Sequence, residues 1–249
     1  MSAKTILVTG ASRGIGLDIA KALVAANHQV VVTARSTEEL EKLKLIAPER
    51  VAYLAGDMAD FSLPSRLVDL AVSTFGGLDG VVVNHGVLAP INKLADAPLD
   101  EWKSLYDVNL FSGIALAKAA IPALRTSHGM VVWISSGAAT NNYTSWSAYG
   151  SSKAAINSIS AHLAAEEPEI TSFALAPGVV ATDMQTQIRA SKNMDPTQLA
   201  RFVDLHQSDK LLKPEWVGAV VAKIVTKQDV TLSGKFLRIT DPALAAYAP

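Results

Sequence analysis

Seven short apolar runs, rich in β-branched residues, recur along the chain at 4–9, 29–34, 51–55, 80–84, 130–135, 170–176 and 235–239. They show little alternation of apolar with polar positions. A strand covered by helices on both faces of its sheet reads this way. Between the runs lie stretches of helical spacing near 14–26, 37–46, 62–75, 99–125, 147–166 and 214–226. The alternation predicts an α/β protein, a doubly wound parallel sheet of seven strands with helices on both faces. Right-handed crossovers then favour the strand order 3-2-1-4-5-6-7.

No linker, repeat or low-complexity run divides the chain, which predicts a single domain over 1–249. Residues 183–213 break the rhythm, since they separate the sixth run from the next helix without a strand. A polar insertion of this length is either a substrate lid or a pair of short surface helices. Hydrophobic residues make up 49% of the 249 residues, enough for a large core. The net charge of −1 offers no basic field to nucleic acid. With no cysteine, disulfides and thiolate metal sites are excluded, and no metal is expected. No apolar run approaches the roughly 18 residues of a membrane span, and no signal peptide or lipidation motif is evident. A soluble, cytoplasmic protein without a membrane partner is the expectation.

The first apolar run leads directly into "TGASRGIG". In a parallel sheet, the turn after the first strand can aim backbone N–H groups at a phosphate, and the next helix adds its positive end. Gly10, Gly14 and Gly16 leave room for that approach. The end of the second strand is where a dinucleotide's adenosine ribose falls. There the chain reads Ala34-Arg35-Ser36, with no carboxylate for a 2′-hydroxyl. Arg35, with Arg13 facing it from the glycine loop, suits a 2′-phosphate, so NADP(H) is the expected cofactor.

Further on, "SAYGSSKAA" puts Tyr149 and Lys153 four residues apart, on one helix face. A neighbouring ammonium favours a phenolate and would bring the tyrosine into range for proton transfer at a carbonyl-derived oxygen. Ser136, in "WISSG", lies thirteen positions earlier at a strand end, where its hydroxyl can hold a substrate oxygen.

Together "TGASRGIG", "VNHG", Asn109 in "DVNL", "ISS", "YGSSK" and "PGVVATDM" follow the order and spacing of the short-chain dehydrogenase/reductase superfamily, which the chain resembles over nearly its whole length. The resemblance implies a Rossmann-type fold, a nicotinamide dinucleotide and a tetrad of Asn109, Ser136, Tyr149 and Lys153. It implies Tyr149 as general acid in reduction, Lys153 at the nicotinamide ribose, Ser136 at the substrate carbonyl and Asn109 at a water beside Lys153. Gly10, Ser12, Gly14, Ile15 and Gly16 would form the phosphate loop. Asp57 would meet the adenine with Met58 beside it, and Asn84 and Gly86 would line the adenosine side. Pro177, Gly178, Val180 and Thr182 would hold the nicotinamide. Where the family commonly has N-A-G, this chain has Asn84-His85-Gly86. His85 either contacts cofactor or substrate and titrates near neutral pH, or is a partly exposed ring without a catalytic role.

The Met-Gln after "ATD", the nearby Arg189 and the ending "DPALAAYAP" resemble the sepiapterin and benzil reductase branch, whose members reduce aromatic 1,2-diketones. A flat or bulky carbonyl substrate agrees with Tyr143, Trp146 and Met184 near the expected pocket. The residues at 102–125 are apolar around most of the helix, which predicts a homodimer or homotetramer. Two other functions use the same fold: a non-catalytic NADP(H)-binding regulator, or an alcohol dehydrogenase running the chemistry in reverse. The intact serine, tyrosine and lysine favour an NADPH-dependent carbonyl reductase.

Overall fold

All seven apolar runs form strands in the structure, a computed structural model that describes residues 2–249. They are β1 (Thr5–Thr9), β2 (Gln29–Thr33), β3 (Val51–Tyr53), β4 (Gly80–Val83), β5 (Met130–Ile134), β6 (Thr171–Ala176) and β7 (Phe236–Arg238). All neighbours pair in parallel, in the order β3-β2-β1-β4-β5-β6-β7. Successive residues of a strand feed opposite layers. Ile6, Val8, Val30, Val32, Val132 and Phe173 pack beneath α1 (Gly14–Ala25), α2 (Glu38–Ile46) and α9 (Pro214–Lys227). Leu7, Val31, Val81, Val131 and Trp133 pack on the other side. That layer holds α3 (Leu63–Phe75), α5 (Ser112–Ser127) and α6 (Ser147–Glu166).

The predicted helix at 99–125 is a helical run with an irregular centre. Between α4 (Leu99–Tyr106) and α5, residues Asp107–Phe111 widen into a π-turn. Such turns often sit at functional sites. The run from Leu99 to Ser127, with a mean hydropathy of 1.3 in its most apolar window, is long and apolar enough to cross a membrane by length and composition. That corrects the expectation that no such stretch exists, which counted only uninterrupted apolar residues. In this fold the run lays Leu116, Ala120 and Leu124 against the sheet core.

The polar insertion forms α7 (Asp183–Arg189) and α8 (Pro196–Gln207). Its two ends meet: the Ala181 N–H donates to the Leu212 carbonyl, and the Leu212 N–H to the Val179 carbonyl, each at 2.9 Å. The excursion therefore leaves and rejoins the body at one point, beyond the end of β6.

Candidate active site

The carboxyl end of β1 turns through Gly10 and Gly14, whose φ angles of +66° and +52° lie in the left-handed region that favours glycine. A Cβ on Gly16 would lie 2.3 Å from the Gly10 carbonyl oxygen and 2.5 Å from Asn84 Nδ2. The turn thus closes only around a bare backbone. Helix α1 begins there with no acidic residue in its first turn and no side-chain cap, so its end N–H groups are free for an anion. Thr182 stands over the turn, 3.1 Å from where a Gly14 Cβ would be. This cradle fits the diphosphate of a dinucleotide.

Several residues expected at the cofactor have other neighbours. The Asn84 side chain braces the turn, donating to the Thr9 carbonyl at 2.9 Å and the Gly10 carbonyl at 3.3 Å. Gly86, expected on the adenosine side, faces the tyrosine–lysine side: a Cβ there would lie 3.3 Å from Asn109 Oδ1 and 3.5 Å from Lys153 Nζ. The Met58 side chain is buried in the core under α3. Asp57 is exposed and accepts from the Ala59 N–H at 2.9 Å. Arg35 and Ser36 are exposed at the end of β2, next to buried Ala34. The carboxylates that follow, Glu38 and Glu39, both pair with Lys42, at 2.8 and 2.7 Å. Arg13 reaches across the turn to Asp183 at 2.7 Å. Its partner lies 170 residues away in sequence, so nothing local could announce it.

At the crevice, Ser136 follows β5 and caps a short 3₁₀ turn, its Oγ accepting from the Ala138 N–H at 3.1 Å. Tyr149 and Lys153 project from α6 and are both buried. The Lys153 ammonium donates to the Ile134 carbonyl at 2.8 Å and lies 5.8 Å from the centre of the Tyr149 ring. Asn109, on the π-turn, accepts from the Val87 N–H at 2.8 Å and donates to the Val87 carbonyl at 2.9 Å. It also donates to Ser152 at 3.2 Å, tying the loop after β4 to α6. The four residues of the expected tetrad thus converge on one side of the crevice.

Their electrostatics differ from the expectation. Burial pushes the Tyr149 hydroxyl above its ordinary pKa, against a smaller opposing effect of the Ser136 hydroxyl. Burial also lowers the Lys153 amine to about 8. Both groups are enclosed and the ammonium is turned to a strand carbonyl, so desolvation outweighs any attraction between them. A phenol made acidic by its neighbour is therefore not what this geometry holds; Tyr149 stays protonated at neutral pH.

His85 is a partly exposed ring, and only the reading in which it titrates near neutral pH is overturned. Its Nε2 approaches the Val108 carbonyl at 3.0 Å and Ser112 Oγ at 2.7 Å, and its Nδ1 lies 2.7 Å from Thr9 Oγ1. The carbonyl can only accept, so Nε2 carries the proton and Nδ1 accepts from Thr9. Burial, then the charge of Lys153, lowers its pKa to about 4, so the ring is neutral near pH 7. It links β1, β4 and α5 and does not line the cavity.

That cavity, of about 260 Å³, opens in front of Ser136 and Tyr149 and extends to Ile15, Pro177, Gly178, Val180 and Thr182. Tyr143, Trp146 and Phe202 line one wall. Trp146 stacks on Phe202 at 5.6 Å and meets the Tyr149 ring edge-on at 5.8 Å, while Tyr143 lies 4.8 Å from Trp146. Met184 Sδ is 4.0 Å from the Tyr149 hydroxyl. Sequence reasoning reached Tyr143, Trp146 and Met184 but missed Gln185, Ile188, Arg201 and Phe202, which α7 and α8 bring to the same cavity. Only the buried, apolar Phe202 in a polar helix carried a usable signal.

A phosphate cradle and a serine–tyrosine–lysine cluster at the carboxyl edge of a doubly wound sheet define a class, the nicotinamide-dependent oxidoreductases. The family model for short chain dehydrogenase matches residues 4–193, and the chain belongs to that family. A benzil reductase of Saccharomyces cerevisiae, described as (S)-benzoin forming, is 37% identical over 256 residues, covering 97% of each chain. A solved short chain dehydrogenase/reductase of the same yeast aligns with a TM-score of 0.97 at 40% identity, over 99% of this chain and 100% of that one. Another, described as a cytoplasmic protein with unknown function from that yeast, aligns with a TM-score of 0.84 at 39% identity, again over 99% and 100%. Family membership implies a nicotinamide cofactor, NAD or NADP, and a small-molecule substrate.

Proposed function

We propose that the protein is a cytoplasmic NADPH-dependent carbonyl reductase acting on a ketone or aromatic 1,2-diketone, with Tyr149 as proton donor. One observation carries the reading: the Tyr149 hydroxyl and Ser136 lie at an aromatic-walled cavity that continues to the glycine cradle. The resemblance to a benzil reductase over the whole chain supports the substrate class.

The bound dinucleotide supplies the hydride. The chain's own residues hold and polarise the carbonyl. Ser136 donates to the substrate oxygen, and Tyr149 protonates it as negative charge develops there. A phenol kept protonated by burial suits the acid role, and hence reduction. Lys153, whose amine burial lowers to about 8 and which is still mostly protonated at neutral pH, returns a proton to Tyr149, and Asn109 fixes the loop beside it. Gly10, Ser12, Gly14, Ile15 and Gly16 would hold the diphosphate. Pro177, Gly178, Val180 and Thr182 would hold the nicotinamide. Arg35, between Ala34 and Ser36, would take the 2′-phosphate. Arg13 joins it by leaving Asp183, an exposed pair that holds it only weakly.

The test is turnover of NADPH against NADH on aryl diketones and simple ketones. NADPH is the expected better donor. Tyr149→Phe is expected to lower kcat/KM by about 10³-fold with NADPH affinity unchanged. A variant that keeps its rate, or a preference for NADH, overturns the reading.

The reading includes two structural parts. Residues 183–213 form a substrate lid within a single catalytic domain. The chain also assembles as a homodimer or homotetramer through the 99–127 helical run, whose Phe111 and Leu99 are 48% and 69% exposed. A monomer by light scattering at micromolar concentration removes the second part.

A further inference from the structure

Gln185 is a buried polar side chain, 4% exposed, and it lines the cavity beside Met184. Its Oε1 accepts from Arg189 Nη1 at 3.0 Å, one helical turn along α7. A guanidinium can only donate, which identifies the amide atom facing it as the oxygen. The other amide atom, Nε2, is therefore an NH₂ group; it makes no hydrogen bond among the described residues and keeps some exposure, on a side chain that lines the cavity. A donor that opens onto a cavity and has no protein acceptor is available to an oxygen of a ligand bound there.

We infer that Gln185 Nε2 is the second anchor of a vicinal dicarbonyl substrate, donating to the oxygen that is not reduced while Ser136 and Tyr149 hold the one that is. The inference rests on the carbonyl-reductase reading and adds what distinguishes a diketone from a ketone. Met184, the neighbour of Gln185, has its sulfur 4.0 Å from the Tyr149 hydroxyl, so α7 passes beside the reacting end of the cavity that both residues line. Arg189 acts as a positioning residue: it fixes which end of the amide faces inward. Two anchors also fix which face of the carbonyl meets the nicotinamide, so the same contact sets the handedness of the hydroxyketone product.

Benzil and deoxybenzoin, in which a methylene replaces one carbonyl, form the matched pair for the test, with NADPH as donor. In Gln185→Leu, kcat/KM for benzil is expected to fall about tenfold, while deoxybenzoin changes less than about twofold. The enantiomeric excess of the benzoin formed falls as well. Gln185→Glu keeps a partner for Arg189, so it carries the test if the leucine variant fails to fold. Its carboxylate has nothing to donate, and the same selective loss is expected. A parallel loss on both ketones, or no loss on either, overturns the inference while leaving the carbonyl-reductase reading intact. A wild-type protein inert on both compounds overturns that parent reading and this one with it.

Discussion

The two halves of the crevice are held in different ways. On the cofactor side, Thr9, Asn84 and His85 are joined by side-chain hydrogen bonds to one another and to β1, β4 and α5, elements far apart in sequence. On the substrate side, the wall is a cluster of rings, and polar ties to the body run through half-exposed loop contacts. Gln198 on α8 accepts from the Thr144 N–H at 2.8 Å, and Asn193 donates to the Ile91 carbonyl at 2.9 Å. The first half is set by the sheet, and a change there strains the scaffold. The second is a packed surface laid over the sheet, and a change there alters what fits.

Gly16→Ala is the severest test of that contrast. Its Cβ would collide with the Gly10 carbonyl and the Asn84 amide. NADPH affinity is expected to fall about 100-fold, with a lower melting temperature. Titration of NADPH fluorescence reads the first and calorimetry the second. A variant with normal affinity would show that the cradle is loose, and the contrast would fail. Phe202→Ala should act on the other half alone. Removing a ring that stacks on Trp146 is expected to raise KM for an aryl diketone about tenfold, with NADPH affinity unchanged. A matching loss of cofactor affinity would join the two halves.

The remaining effect concerns stability and pH. The folded-state pKa of His85, about 4, lies below its ordinary value of 6.5, so between these values the unfolded chain binds the extra proton. Stability contributed by the neutral ring is present above pH 6.5 and is lost as pH falls toward 4. The loss is about 3 kcal/mol at most. Denaturation profiles of the wild type and His85→Gln should converge on acidification through this window. Profiles that stay parallel would mean that the ring is not held neutral by the fold.

The same division governs what was legible in the chain. Every strand could be read, because a run covered on both faces must be apolar throughout. The glycine turn, Ser136, Tyr149 and Lys153 could be read because their spacing is local or repeats a family pattern. The π-turn at Asp107–Phe111 could not: its residues keep the apolar pattern of the helix around them. Nor could the neighbours of Arg13, Gly86 and His85, which depend on contacts between distant elements. In the insertion, a polar stretch with no sheet to match, Gln185 and Phe202 acquire meaning only when α7 and α8 fold back over the crevice.

The paired amides and carbonyls linking Val179, Ala181 and Leu212 have a consequence for how such proteins diverge. Since the detour begins and ends at neighbouring points, its length and content are decoupled from the strands. A lineage can exchange that whole module and acquire new chemistry of recognition, with the nucleotide half inherited untouched.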